Sequence, residues 1–219
     1  MKMNRKVPFY ANTPDDTHCF QAALRMVMKH FWPERDFSWE ELEKITAKVE
    51  GLWTWPMAGM LWLLEQGMEV KHMEMFDYEK FAEEGGQYLI DEYGEEVGKA
   101  QIEHSDIEQE KRFAREFVKK IGTSRTIPAR DDIQTLLEEG YLLICNVNSR
   151  ALINEEGYAG HFVVIKGFDD THLFTHDPGL PPLKNNRVGL DTFEQAWAYP
   201  NERAKNIMAF RLHRNSSVK

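Results

Sequence analysis

The chain has 219 residues, 42% of them hydrophobic, and a formal net charge of −9. That length and apolar content suit a single domain over residues 1–219 with a substantial core, and the acidic balance offers no basic stripe for nucleic acid. No apolar run is long enough to span a bilayer, no apolar stretch follows the basic start to make a secretory signal, and two cysteines cannot build a disulfide framework. A cytoplasmic protein without membrane association is therefore expected.

In chain order, Val7–Tyr10 reads as a short strand. A helix opens at Cys19, with Ala22, Ala23, Met26, Val27 and Phe31 as its apolar face, and stops before Pro33. Ser38-Trp39-Glu40-Glu41 is a capping box, starting a helix that runs to about Val49. Thr54-Trp55-Pro56 starts another, with Met57, Met60, Leu61 and Leu64 on one face and Gly67 as its stop. Met68–Phe76 reads as a strand. Two or three helices follow, one opening at Ser105-Asp106-Ile107-Glu108 and closing near Gly122. Asp131 and Asp132 start a short helix ending at Gly140. Tyr141–Val147 is apolar and β-prone, as a buried strand should be. His161–Phe168 and Thr171–His176 form a hairpin with Asp169-Asp170 in its turn. Asn185-Asn186 marks a further turn, Asp191-Thr192 cap a helix through Trp197, and Asn206–Leu212 is the last strand. Helices first and antiparallel strands afterwards make the α+β pattern.

Charge is unevenly spread. Residues 74–116 hold fourteen Asp/Glu against five Lys/Arg, so this stretch carries the whole imbalance and the remainder is neutral. It reads as a solvated helical face, with docking of a basic protein partner as the sharper alternative. Phe113, Phe117 and Ile121, spaced four apart, are expected to be buried, and Glu83, Glu84, Glu95, Glu96, Glu108 and Glu110 to face solvent.

The chemistry gathers on three residues. Cys19 ends a polar run and begins an apolar helical one, so its thiol sits at a helix N-terminus, where free N–H groups and the dipole favour a thiolate. A base is available at His161, at the start of a strand, and an orienting carboxylate at Asp177, at the end of the next. Each alone has a plainer reading: an inert buried thiol, a core histidine, a turn aspartate before Pro178-Gly179. Together they form a Cys-His-Asp set. Cys145, inside an apolar strand, reads as structural. His172 and His176 share a strand face, but without a Cys-x-x-Cys pair or a His-Glu-x-x-His motif no metal is expected, and without a glycine-rich phosphate loop no cofactor either. His18 reads as an exposed loop residue beside the thiol. Trp53, Trp55 and Trp62 read as core or as a substrate-facing wall.

The helix-opening cysteine, the His-Phe-Val-Val strand running to Gly167-Phe168-Asp169, and Asp177-Pro178 after the next strand resemble the papain-like cysteine peptidases, in particular the double-glycine-leader, bacteriocin-processing type and its stand-alone relatives. Val7-Pro8-Phe9-Tyr10, the helix-Gly140-strand unit and the closing helix and strand are similar too. The resemblance implies a papain-like α+β fold, N-terminal helices packed on a C-terminal antiparallel sheet, with the acidic helical stretch at about 76–125 as an insertion that covers one side of the cleft. It implies a thiol hydrolase acting on a peptide, or a small amide or thioester substrate, through an acyl-enzyme: Cys19 as nucleophile, His161 as base and acid, Asp177 as its orienting partner. Two positions depart from the family pattern. Phe20-Gln21 stand where Gly-Pro is usual, and no Gln precedes Cys19, which leaves Asn12 as the side-chain donor nearest the oxyanion position. A binding module without catalysis, and an acyl or peptidyl transferase using the same triad, are the alternatives.

Overall fold

The computed structural model describes residues 2–213. A two-residue strand β1 (Met3–Asn4) pairs with Gly167 and Phe168. The expected strand at Val7–Tyr10 does not form. Pro8 has no N–H to give a ladder, and the Val7 carbonyl is instead bonded by the His176 ring. Helix α1 (Cys19–Phe31) buries Phe20, Ala22, Ala23, Met26 and Val27, the 3.6-residue stripe of a core helix.

Helix α2 (Trp39–Ile45) opens on the expected capping box, Ser38 and Glu41 satisfying each other's backbone N–H. It ends four residues early, because the Thr46 hydroxyl bonds back to Leu42 and Ala47 turns to positive φ. Helix α3 (Met57–Glu65) ends two residues before Gly67, whose φ of 84° suits only glycine comfortably. Strand β2 (Met68–Glu74) follows.

The acidic stretch forms α4 (Tyr78–Glu84), α5 (Gly86–Glu103), which breaks at Gly94, and α6 (Ile107–Lys120). The cap of α6 is Asp106, accepting from the Gln109 N–H. Tyr78, Phe81, Tyr88, Leu89 and Phe117 lie in the same core as Phe20, Leu24, Met57 and Met60, so these helices share the buried core of α1 and α3. Phe117 is fully buried, and Phe113 and Ile121 pack half-buried on that core. Glu83, Glu84, Glu95, Glu96 and Glu108 face solvent as expected. Glu110 does not: it is buried, and burial pushes its carboxyl up to about 8, so it enters the interior as the neutral acid.

Helix α7 (Arg130–Glu138) leads into β3 (Leu142–Asn148), then a single turn α8 (Ser149–Leu152) that the sequence did not suggest. Strands β4 (Gly160–Phe168), β5 (His172–Asp177) and β6 (Leu183–Gly189) form an antiparallel meander, followed by α9 (Leu190–Trp197) and β7 (Asn206–Leu212). Asn185-Asn186 is not a turn but lies inside β6. The register slips by one residue there and Asn185 takes positive φ, the signature of a β-bulge that asparagine tolerates.

The sheet order is β2-β7-β3-β4-β5-β6, with β1 added beside β4 and every pairing antiparallel. Strand β3 shows why it is covered on both faces. Leu142 and Ile144 face the core of α1–α6, while Leu143, Cys145 and Val147 face a second core with α7 and α9. A strand buried on both sides must be apolar throughout rather than alternating. Among the described residues no helix is long and apolar enough to cross a membrane.

Candidate active site

Cys19 is the first residue of α1, and no side chain caps that helix from His18. The N–H groups of the first turn therefore have no intrahelical partner and point at the thiol's surroundings. The loop ahead of it is tied down by Asn12, whose Oδ1 accepts from the backbone N–H of His18 at 2.7 Å and of Thr13 at 2.9 Å. Asn12 Nδ2 donates to Asp16 Oδ1 at 2.7 Å, and its backbone N–H donates to the Pro178 carbonyl at 2.7 Å. Asn12 thus links the approach to Cys19 with the turn after β5. His18 is not exposed: it is buried, with Nε2 2.7 Å from Glu43 Oε1 and Nδ1 2.7 Å from Thr13 Oγ1. Its ring holds the same loop and is turned to these partners.

His161 enters at the start of β4, opposite Val147. Asp177 closes β5, and the Asp169 side chain fixes the hairpin between them by accepting from the Thr171 and His172 N–H groups. Asp177 Oδ1 lies 2.6 Å from His161 Nε2 and accepts the Gly179 N–H at 2.8 Å. That bond leaves Nδ1 free, and Cys19 lines the same cavity as His161. Burial opposes charge on His161, but the Asp177 hydrogen bond and the Cys19 thiol outweigh it and push the ring up to about 10. Asp177 is likewise lowered, its burial overcome by His161. His161 and Asp177 are thus in direct contact, and Cys19 shares a cavity wall with His161.

Gly179 sits in the turn directly after Asp177. A Cβ there would stand 3.0 Å from Asp177 Oδ1 and 3.2 Å from His161 Nε2, so the bare backbone is what lets the turn close over the dyad. Cys145 is fully buried in β3, and burial alone drives its thiol well above the ordinary value. His176 is buried, its Nε2 on the Val7 carbonyl and its Nδ1 accepting from Asn185, while His172 turns to Asp169. They form no pair, and among the described residues no three His, Cys, Asp or Glu gather to hold a metal.

A cavity of about 250 Å³ runs from Cys19 and His161 beneath the acidic helices. Trp53 and Trp55 line it, while Trp62 packs away from it against Trp32 and Phe37. Its far part holds Glu74, His72 and Tyr78, although Glu74 belongs to the acidic stretch expected to be a solvated face. One signal was present. Met68, Val70, His72 and Glu74 alternate along β2 on its inward face, so Glu74 had to point where Met68 points.

The helices and antiparallel sheet are those of the papain-like cysteine peptidase fold, as solved peptidase domains of that fold match the chain over nearly its whole length. Within it, the chain belongs to the Peptidase_C39-like family, whose model matches residues 4–205. Among solved structures it is similar to the peptidase domain of Streptococcus ComA, a bi-functional ABC transporter involved in quorum sensing. The identity is 13% and the TM-score 0.51, over 94% of this chain and 98% of that one. It is also similar to a double glycine motif protease from an AMS/PCAT transporter in complex with the leader peptide. There the identity is 14% and the TM-score 0.50, over 97% of this chain and 99% of that one. No curated protein matches the chain in sequence.

Proposed function

We propose that the protein is a thiol peptidase that cleaves a peptide amide bond through Cys19, His161 and Asp177. The observation that carries this reading is His161, held by Asp177 on Nε2 and lining the same cavity as the Cys19 thiol. Cys19 Sγ attacks the scissile carbonyl and His161 gives its proton to the leaving amine. His161 then takes a proton from the water that hydrolyses the thioester. The oxyanion meets the Cys19 backbone N–H, and the second Nδ2 hydrogen of Asn12 is the candidate side-chain donor. The complex of a similarly folded double glycine motif protease with its leader peptide supports a peptide as the substrate class.

One observation favours a second reading, a peptide-binding module. The Asn12 amide is already engaged by Asp16, and loss of one oxyanion donor costs about 10²–10³ in rate. A transferase would share the acyl-enzyme and differ only in its acceptor. Incubation with a thiol-directed peptide electrophile, followed by mapping of the adduct, tests the proposal. Modification at Cys19 that disappears in His161→Ala, with peptide cleavage that disappears in Cys19→Ala, is expected. Tight peptide binding with neither adduct nor cleavage would establish the binding module instead.

A further inference from the structure

The cavity does not end at the thiol. Its sheet-side floor is a row of one residue from each of four adjacent strands: Phe162 of β4, Asn146 of β3, Asn206 of β7 and Glu74 of β2. Asn206 and Asn146 lock this row by exchanging side-chain and backbone hydrogen bonds at 2.8 and 3.0 Å. Three inter-strand steps place Glu74 about 14 Å from the strand that carries His161, a span of about four residues of extended chain.

Glu74 is 9% exposed, and what it exposes faces this cavity. Its Oε1 accepts from the Tyr78 hydroxyl and lies 3.4 Å from His72 Nε2. Its Oε2 has no hydrogen-bond partner among the described residues, although a carboxylate has about four sites to fill. No lysine or arginine among the described residues pairs with it, and burial drives the one basic neighbour, His72, down to about 3, which keeps that ring neutral. The walls are aromatic. Trp53, Trp55, Phe76, Tyr93, Tyr158 and Tyr199 line the same space, Tyr158 stacking on Tyr199 and Phe76 on Tyr93. Aromatic faces over an unpaired buried carboxylate favour a cation, and the roof is built by the segment that carries the chain's excess negative charge.

We infer that the far end of this cavity is a specificity pocket for a basic group of the substrate, a lysine-like ammonium or a guanidinium, with Glu74 as its counter-charge. The inference rests on the peptidase reading of the Cys19 site and adds the substrate class. It also explains how a carboxyl is tolerated there. Burial, eased by the Tyr78 hydrogen bond, leaves Glu74 at about 7, so the free pocket avoids a full unpaired charge. An arriving cation restores the ionised form.

The test uses octapeptides of a glycine-alanine-serine background with one lysine at each position in turn, each matched by a norleucine twin. Binding to the Cys19→Ala protein is followed by tryptophan fluorescence, which Trp53 and Trp55 report, so turnover does not interfere. At one position or two adjacent ones lysine is expected to bind about tenfold tighter than norleucine or more, the scale of one charge-assisted hydrogen bond with cation–π support. Added Glu74→Gln, which keeps shape and the Tyr78 contact, is expected to bring the pair within about twofold. Trp53→Leu, at a half-exposed wall position, should narrow the gap without touching the carboxyl. Equal binding of lysine and norleucine everywhere, or a preference that survives Glu74→Gln, overturns the pocket. The wild-type protein is assayed in parallel for cleavage of the same peptides. Lysine preference without cleavage would sink the peptidase reading and leave the pocket standing, and cleavage without lysine preference would do the reverse.

Discussion

Replacing Asp177 by Asn keeps the side-chain volume and removes the charge that faces His161 Nε2 at 2.6 Å. The two side chains are only 8% and 14% exposed, so water screens the pair weakly. Burial disfavours charge on His161, yet Asp177 and the Cys19 thiol raise the ring from 6.5 to about 10. The folded imidazole thus holds its proton more tightly than the unfolded one. Its stabilisation is complete below about pH 6.5 and is lost, at about 1.4 kcal/mol per pH unit, as pH climbs to about 10. Asp177, lowered in the fold, contributes in the opposite sense: its share is present above about pH 4 and lost as pH falls. Removing one partner of a buried pair costs about 3–5 kcal/mol, limited here because His161 can shed its proton. The Asn variant should therefore be less stable by about 3–4 kcal/mol near pH 6, with the gap closing to within about 1 kcal/mol near pH 10. Urea unfolding of both proteins across that range measures it, because groups common to both cancel in the difference. A gap that is flat with pH, or that widens toward alkali, would refute the ion-pair account.

Gly179→Ala should slow Cys19 alkylation and any peptide cleavage by about 10²-fold at most, through displacement of the dyad, while costing about 1–3 kcal/mol of stability. Rates equal to those of the unaltered protein would mean the turn yields without moving the ring. Iodoacetamide should modify Cys19, which lines the cavity, well before Cys145, which is fully buried; peptide mapping that finds both thiols labelled at one rate contradicts this. Because α4–α6 share a core with α1 and α3, deletion of residues 76–122 should abolish cooperative unfolding, and Phe117→Ala alone should cost about 3–5 kcal/mol. A soluble shortened protein with a sharp denaturation transition would show that the stretch is an add-on after all.

How far the sequence could be read depended on whether the deciding contacts were local. Cys19 at a helix start, the Ser38–Glu41 box and the limits of β7 follow from patterns a few residues long, and the structure has them in place. The strand expected at Val7–Tyr10 failed because His176, 169 positions away, takes the Val7 carbonyl. Asn185-Asn186 has turn chemistry, but the sheet uses the same tolerance of positive φ for a bulge. His18 and Glu110 are polar residues whose burial depends on Glu43 and on the helix packing around α6, which no local window contains. The acidic composition of 74–116 was accurate as a count and misleading as a map, since it hid that Glu74 and Glu110 point inward while most of their neighbours do not.

The position two after the thiol shows why a departure from a family pattern need not be decay. Gln21 stands there in place of the usual proline, in the first turn of α1, where no residue needs its N–H for the helix. Backbone geometry therefore accepts either residue. What changes is the side chain: Gln21 is fully buried and its Nε2 donates to Thr46 Oγ1 at 2.8 Å and to Thr54 Oγ1 at 2.9 Å. Thr54 lies between Trp53 and Trp55, and all three line the cavity. A proline could make neither bond. Gln21 thus ties the helix that begins at Cys19 to the aromatic wall of the cavity, so the residue that departs from the family pattern also helps to build the cavity that Cys19 lines.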